Sequence, residues 1–234
     1  MNKLQLKTPI LVLISIILVI NVSCASFTPL KTSLITEGVY SIKDGMVNMY
    51  LIKTGDDYIA IDAGNNSNVI VKELKKLNID PAKIIAVLLT HVDVDHIASL
   101  NLFSNAKIYI GKGEENILNG KTKRFTFKKI DREYSLIDDF YTIEINKIQI
   151  TTIPAPGHTP GSTCYFINGG LFTGDTLSLK KGRVDVFFPF FNIDTEAQKK
   201  SIDKIKRLEG IGYIFTGHSG YSNDFEYAFE KWGM

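Results

Sequence analysis

Four histidines are all the chain contains, and each sits at or just beyond the end of an apolar, strand-like run. The turns that carry them are rich in glycine or carboxylate: THVDVDH (His91, His96), PAPGHTPGS (His158) and FTGHSG (His218). A further turn of the same kind, FTGDT, carries Asp175. The densest stretch, LLTHVDVDHIASL, places His91, Asp93, Asp95 and His96 within six consecutive residues. Polar density of this kind adds nothing to a core, and structural histidines would be scattered. Any one of the four alone reads as a hydrogen-bonded loop residue. Jointly they constrain the fold, which must bring several strand ends together. Imidazole and carboxylate are the ligands of zinc, iron and manganese, and such sites draw donors from separate segments.

The order of elements agrees with that demand. From Gly38 the runs VYSI, NMYLIKT and YIAIDAG are separated by Asp44-Gly45 and Gly55-Asp56-Asp57, which predicts an antiparallel meander. Apolar residues at helical spacing predict a helix over 68–77, and IIAVLL at 84–89 predicts a strand buried on both faces. A helix is expected over 95–103. The basic segment KTKRFTFKK at 121–129 is expected to be a solvated surface. YTIEI and KIQITTI should pair around Asn146-Lys147, and STCYFI and LFTGD around Asn168-Gly169-Gly170. One helix near 195–208, the strand YIFTG and a last amphipathic helix from Asp224 complete two similar halves. The expected class is α/β (α+β).

At 234 residues and 44% hydrophobic content the chain suits one large domain with a real core. A formal net charge of +2 with scattered lysines gives no electrostatic footprint for nucleic acid. No glycine loop cradles a nucleotide. Residues 1–25 stand apart: Lys3 and Lys7 precede the apolar run ILVLISIILVI, followed by NVSCAS. Eleven helical residues cover about 16 Å of a hydrocarbon core roughly 30 Å thick, so this is an export signal in form. Its end reads either as a lipobox, with Cys24 lipidated, or as ordinary cleavage after Ala25; an uncleaved anchor is a third ending. All three place residues 26–234 outside the cytoplasm, with membrane association through the N-terminus in the first and third. Cys164, in GSTCYFI, is expected to be a buried, inert thiol.

With these motifs on the page, the sequence resembles the metallo-β-lactamase superfamily. THVDVDH is similar to its H-x-H-x-D-H signature, APGHTPGS to its third histidine loop, LFTGDTL to its bridging aspartate, FTGHSG to its final histidine, and AIDAG at 60–64 to its early strand-end aspartate. The loop around PGHTPGSTCYF is closest to the glyoxalase II-like branch. The resemblance covers the chain from about Gly38 onward. It implies a four-layer αβ/βα sandwich with metals at one edge. It also implies a first metal site of His91, residue 93 and His158, a second of Asp95, His96 and His218, and Asp175 bridging. Asp62 and Thr90 would orient the histidines from behind.

Position 93 departs from the pattern, because most members carry histidine there. If Asp93 ligates, two histidines and a carboxylate suit iron or manganese better than zinc. If it does not reach, a single metal at the second site remains. The resemblance implies two divalent ions and a metal-bound water that cleaves an ester, thioester, lactone or related bond, with Asp95 as ligand and catalytic group. VDVFFPFFNID, with four phenylalanines around Pro189, is either core or an apolar wall selecting a small-molecule substrate with a greasy portion. Two other functions fit the residues: a di-iron oxidoreductase with an external electron donor, and a catalytically weak metal-bound binding protein.

Overall fold

In the computed structural model, residues 27–124, 126–138 and 141–234 are described. The export-signal expectation for residues 1–25 and the lipidation expectation for Cys24 fall outside them. Among the described residues, no helix is long and apolar enough to cross a membrane.

Seven strands form the first sheet: β1 (Ser33–Thr36), β2 (Val39–Asp44), β3 (Val47–Thr54), β4 (Asp57–Ile61), β5 (Ile84–Leu89), β6 (Lys107–Gly111) and β7 (Ser135–Ile137), neighbours in that order. The meander β1–β4 is antiparallel and β4–β7 are parallel. The second sheet holds β8 (Thr142–Ile145), β9 (Ile148–Pro154), β10 (Thr163–Ile167) and β11 (Gly170–Gly174). A separate hairpin, β12 (Leu177–Lys180) and β13 (Arg183–Val186), interrupts it before β14 (Tyr213–Thr216) and β15 (Tyr221–Ser222). Within that sheet β11 and β14 pair in parallel and the other neighbours antiparallel. Five helices are described: α1 (Ser67–Lys76), α2 (Val94–Ile97), α3 (Glu115–Leu118), α4 (Thr195–Ile205) and α5 (Phe225–Phe229).

Strand alternation explains the layers. Met49, Leu51, Ala60, Val87 and Leu89 face outward onto a cluster containing Ile70 and Leu74 of α1 and Ile97 of α2. Their neighbours Tyr50, Ile52, Ile59, Ile61, Ala86 and Leu88 face inward onto Tyr165, Phe172 and Phe215 of the second sheet. The far face of that sheet, with Cys164, Leu171 and Ile214, packs on Ile202 and Ile205 of α4 and Phe229 of α5. The result is helix, sheet, sheet, helix, as the sequence led us to expect. β5 reads as an unbroken apolar run because both its faces are covered. Asn146 and Lys147, and again Asn168 and Gly169, have positive φ, the backbone that two-residue hairpin turns require.

Two tyrosines fasten the sheets reciprocally at the same edge. The Tyr50 hydroxyl of the first sheet donates to the Thr216 carbonyl at 2.7 Å, and the Tyr165 hydroxyl of the second donates to the Leu89 carbonyl at 2.7 Å. Both acceptors close a strand that leads directly into a histidine turn.

Two expectations need correction, and one element was not foreseen. The helix over 95–103 is one turn, α2, followed by a 3-10 turn at Leu100–Leu102. The carbonyl of His96, which a continuing helix would use, instead accepts the Ala63 N–H at 2.6 Å. The hairpin β12–β13 had no counterpart in the sequence analysis. The segment 121–129 is not simply solvated surface: Val94 N–H donates to the Thr126 carbonyl at 2.7 Å and Lys128 N–H to the Val92 carbonyl at 3.3 Å, so residues 126–128 run extended against 92–94.

Candidate metal centre

The site lies where two pairs of parallel strands end. Asp62 follows β4 and His91 follows β5; Asp175 follows β11 and His218 follows β14. Because the strands of each pair run the same way, their carboxyl ends open to one edge. His158 joins them from the loop between β9 and β10. Asp93, Asp95 and His96 belong to the start of α2.

Each histidine is held by its Nδ1, leaving Nε2 to face inward. His96 Nδ1 donates to Asp62 Oδ2 at 2.7 Å, and His218 Nδ1 to the Met46 carbonyl at 2.7 Å. His91 Nδ1 lies 3.0 Å from Thr90 Oγ1, whose own proton goes to Asp62, so the imidazole is the donor. His158 Nδ1 lies 3.1 Å from Asn192 Oδ1, the acceptor atom of an amide whose NH2 is spent on Phe187 and Gln198. Such outer partners fix the tautomer and aim the ring. Asp62 and Thr90 thus stand behind the histidines as expected. Asp62 also adopts φ 60°, a conformation unusual outside glycine, and its three side-chain hydrogen bonds to Thr90 and one to His96 hold it there.

Two donor groups result, His91 with His158 and Asp175, and Asp95 with His96 and His218; within each, the atoms lie within 4.8 Å of one another. Bonds of about 2.1 Å at tetrahedral angles put neighbouring ligand atoms about 3.4 Å apart. In the second group His96 Nε2 is 3.4 Å from His218 Nε2, 3.5 Å from Asp175 Oδ1 and 3.7 Å from Asp95 Oδ2. His218 Nε2 is 3.4 Å from both Asp95 Oδ2 and Asp175 Oδ2. His91 Nε2 and Asp175 Oδ1 are buried with no hydrogen-bond partner. Orphaned donors and this spacing fit a divalent ion. Gly217 makes the approach possible, because a β-carbon there would overlap Asp175 Oδ1.

The electrostatics of the protein alone are those of a charged, dry cage. Burial works against charge on Asp175, but His218 and His96 outweigh it and hold the carboxyl well below the usual range. Burial likewise opposes charge on His96, and Asp175, Asp62 and Asp95 outweigh it, raising His96. The same balance puts His218 at about 9 and Asp95 below its ordinary value. His158 goes the other way, since burial prevails and keeps it neutral.

Asp93 Oδ2 stands 3.2 Å from His158 Nε2 and 3.6 Å from His91 Nε2, so the expected first group is brought together, but Asp93 is also paired with a guanidinium. Its Oδ1 accepts from Arg124 Nε at 2.7 Å and from Thr126 Oγ1 at 2.8 Å; its Oδ2 accepts from Arg124 Nη2. Arg124 Nη2 also lies 3.0 Å from His158 Nε2, and Nη1 donates to the Phe191 carbonyl at 2.6 Å. Sequence reasoning missed Arg124 and Thr126. The signal available was the polar–aromatic alternation from Arg124 to Lys128, which is that of an extended segment with one face turned inward. It also missed Glu114, buried, whose two oxygens accept Val92 N–H and Gly161 N–H, each at 2.9 Å, and so lock the His91 turn to the His158 loop.

Beside the site is a cavity of about 310 Å³ lined by Phe27, Met46, Val47, Val94, Phe187 and Phe191 along with the site residues. Phe187 packs edge-on against His158, with ring centroids 5.1 Å apart. None of the four phenylalanines at 187–191 belongs to the three core clusters. Phe187, itself buried, and Phe191 form one wall of this cavity, while Phe190 is 83% exposed.

Comparison with known proteins agrees with this geometry. The family profile of the Metallo-beta-lactamase superfamily matches residues 42–218. A probable metallo-hydrolase of Methanocaldococcus jannaschii is 31% identical over 153 residues, 65% of this chain and 66% of its own length. A hydroxyacylglutathione hydrolase of Buchnera aphidicola is 35% identical over 184 residues, 76% of this chain and 64% of its own. The chain therefore spans just under two thirds of these relatives. A metallo-beta-lactamase family protein from Thermus thermophilus shares the fold with a TM-score of 0.66 at 17% identity, covering 85% of this chain and 79% of that one. On the matched profile, the ordered motifs and the converging donors, the chain belongs to the metallo-β-lactamase superfamily.

Proposed function

We propose that this protein is a metallohydrolase that cleaves an acyl ester, thioester or lactone whose acyl part is apolar. The observation that carries the reading is the juxtaposition of the donor cage with the phenylalanine wall: the cavity that reaches Asp95, Asp175 and His218 is lined on its other sides by Phe27, Phe187 and Phe191. His96, His218, Asp95 and Asp175 would hold the ion. When bound, a divalent metal polarises the substrate oxygen and makes water acidic enough to attack near neutral pH.

The protein supplies position and a proton acceptor. Of the two carboxylates facing His218, Asp95 is the more open, with its side chain 35% exposed against 5% for Asp175. With one oxygen towards the ion, its other oxygen could take the proton of the attacking water and return it to the departing oxygen or sulfur. The phenylalanine wall excludes water from the acyl chain and aligns it.

The test is a panel of acyl esters and thioesters of increasing chain length, with hydroxyacylglutathione included because the Buchnera relative is named for it. kcat/KM should rise with acyl length, and Phe187→Ala should flatten the rise by about tenfold for the longest member. His96→Ala and Asp175→Ala should abolish hydrolysis while the chain stays folded. Full activity in either variant removes the proposal. Residues 1–25 add a location outside the cytoplasm to the reading; incorporation of labelled fatty acid that Cys24→Ala eliminates would support a lipid anchor, and incorporation unchanged in that variant would exclude Cys24 as its site.

A further inference from the structure

We propose that Arg124 is a built-in cation of the first donor group, so that this chain binds one divalent ion tightly, at Asp95, His96, His218 and Asp175, where its relatives' signature leads one to expect two. The inference rests on the reading that the site holds metal, and concerns how many ions it holds.

A lone-pair count carries the argument. His158 Nδ1 is the donor to Asn192, so Nε2 has a single lone pair to offer. Arg124 Nη2 stands 3.0 Å from that atom and is also hydrogen-bonded to Asp93 Oδ2. One lone pair does not serve an N–H and a metal at once. An ion in the first group must either expel the guanidinium or do without His158. Expulsion is opposed from three sides, because Arg124 is anchored by the Asp93 carboxylate, the Phe191 carbonyl and the contact with His158, with its side chain only 7% exposed.

Charge gives the same answer. Asp93 and Arg124 cancel, leaving Asp95 and Asp175 to cancel one divalent ion. With a second ion and Arg124 in place, the same buried cage would carry two net positive charges before any hydroxide entered, which a low-dielectric interior penalises heavily. This also answers why position 93 is an aspartate. A neutral histidine there would face a buried guanidinium and leave its charge uncompensated.

The test is the number of ions bound by the metal-depleted full chain after equilibrium dialysis against zinc and, separately, manganese, counted by elemental mass spectrometry. About one equivalent is expected in the parent and about two in Arg124→Met, where His91, His158 and Asp175 are freed to bind. The paired variant Asp93→His with Arg124→Met, which removes both members of the ion pair together, should also hold about two equivalents and guards against misfolding of the single variant. Two equivalents in the parent, or one in all three proteins, would overturn the inference while leaving the metallohydrolase reading intact. No bound ion in any of them would overturn both.

Discussion

The two halves of the donor cage use the same chemistry, and what separates them is a guanidinium. Asp95, His96, His218 and Asp175 face one another across 3.4–3.7 Å, and the only cations these contacts bring together are their own histidines, which lose a proton when they ligate. His91, Asp93 and His158 share their space with Arg124. One half can shed its positive charge to an incoming ion, and the other holds a guanidinium that stays charged. Metal-ligand spacing in a sequence is therefore a statement about donors only; whether they are free depends on what the rest of the chain brings to them, here from a segment about thirty residues further on, Arg124 being 31 residues from Asp93.

The contrast can be broken most forcefully at Asp93. Asp93→Ala leaves Arg124 buried without its counter-ion, and should cost about 3–5 kcal/mol of stability in urea unfolding. The loss should be equally large in excess chelator. A loss that appears only in metal-loaded protein would mean that an ion, not Arg124, is the partner of Asp93. Asp62→Ala sharpens the other half. It strips the acceptor from Thr90 and His96, and should cost about 2–3 kcal/mol and weaken metal binding about 10–100-fold, read by unfolding and by competition with a chelating dye. Glu114→Gln turns an acceptor oxygen into a donor opposite Val92 or Gly161, costing about 1–2 kcal/mol with metal affinity in the second group unchanged. The smallest effect is expected at Cys164, whose thiol burial pushes up to about 12. At pH 8 about one molecule in ten thousand is then thiolate, so Cys164 should resist alkylation in the native protein and react on unfolding, whether or not metal is bound.

The two cage halves also differ in how far they were legible. His218 and Asp175 announced themselves because glycine-flanked polar residues at the end of apolar runs have few other uses, His96 because it closes a dense run of histidine and carboxylate, and β5 was readable because a strand covered on both faces has no polar alternation to confuse it. The helix start at Asp95 was visible, but not its early end, since the bond from Ala63 N–H to the His96 carbonyl is a long-range event with no local signature. Arg124 was hidden for a similar reason. Among Lys121, Lys123, Lys128 and Lys129 it looked like one more surface cation, and only the pairing of 126–128 against 92–94 turns it inward. Nothing around Glu114 in the sequence marks its role, which is to clamp the loop at Val92, 22 residues before it, to the loop at Gly161, 47 residues after it.

His96 and His218 lie 122 positions apart in the chain, and each comes from a different sheet of the sandwich. Neither half of the sequence can therefore capture an ion with full coordination by itself. During synthesis the first sheet emerges with Asp95 and His96 and can offer only a weak, open claw, exchanging whatever ions it meets. Full coordination would require β14 to be docked beside β11 and the Tyr50 hydroxyl to have found Thr216, so an ion held there would also hold the two sheets together.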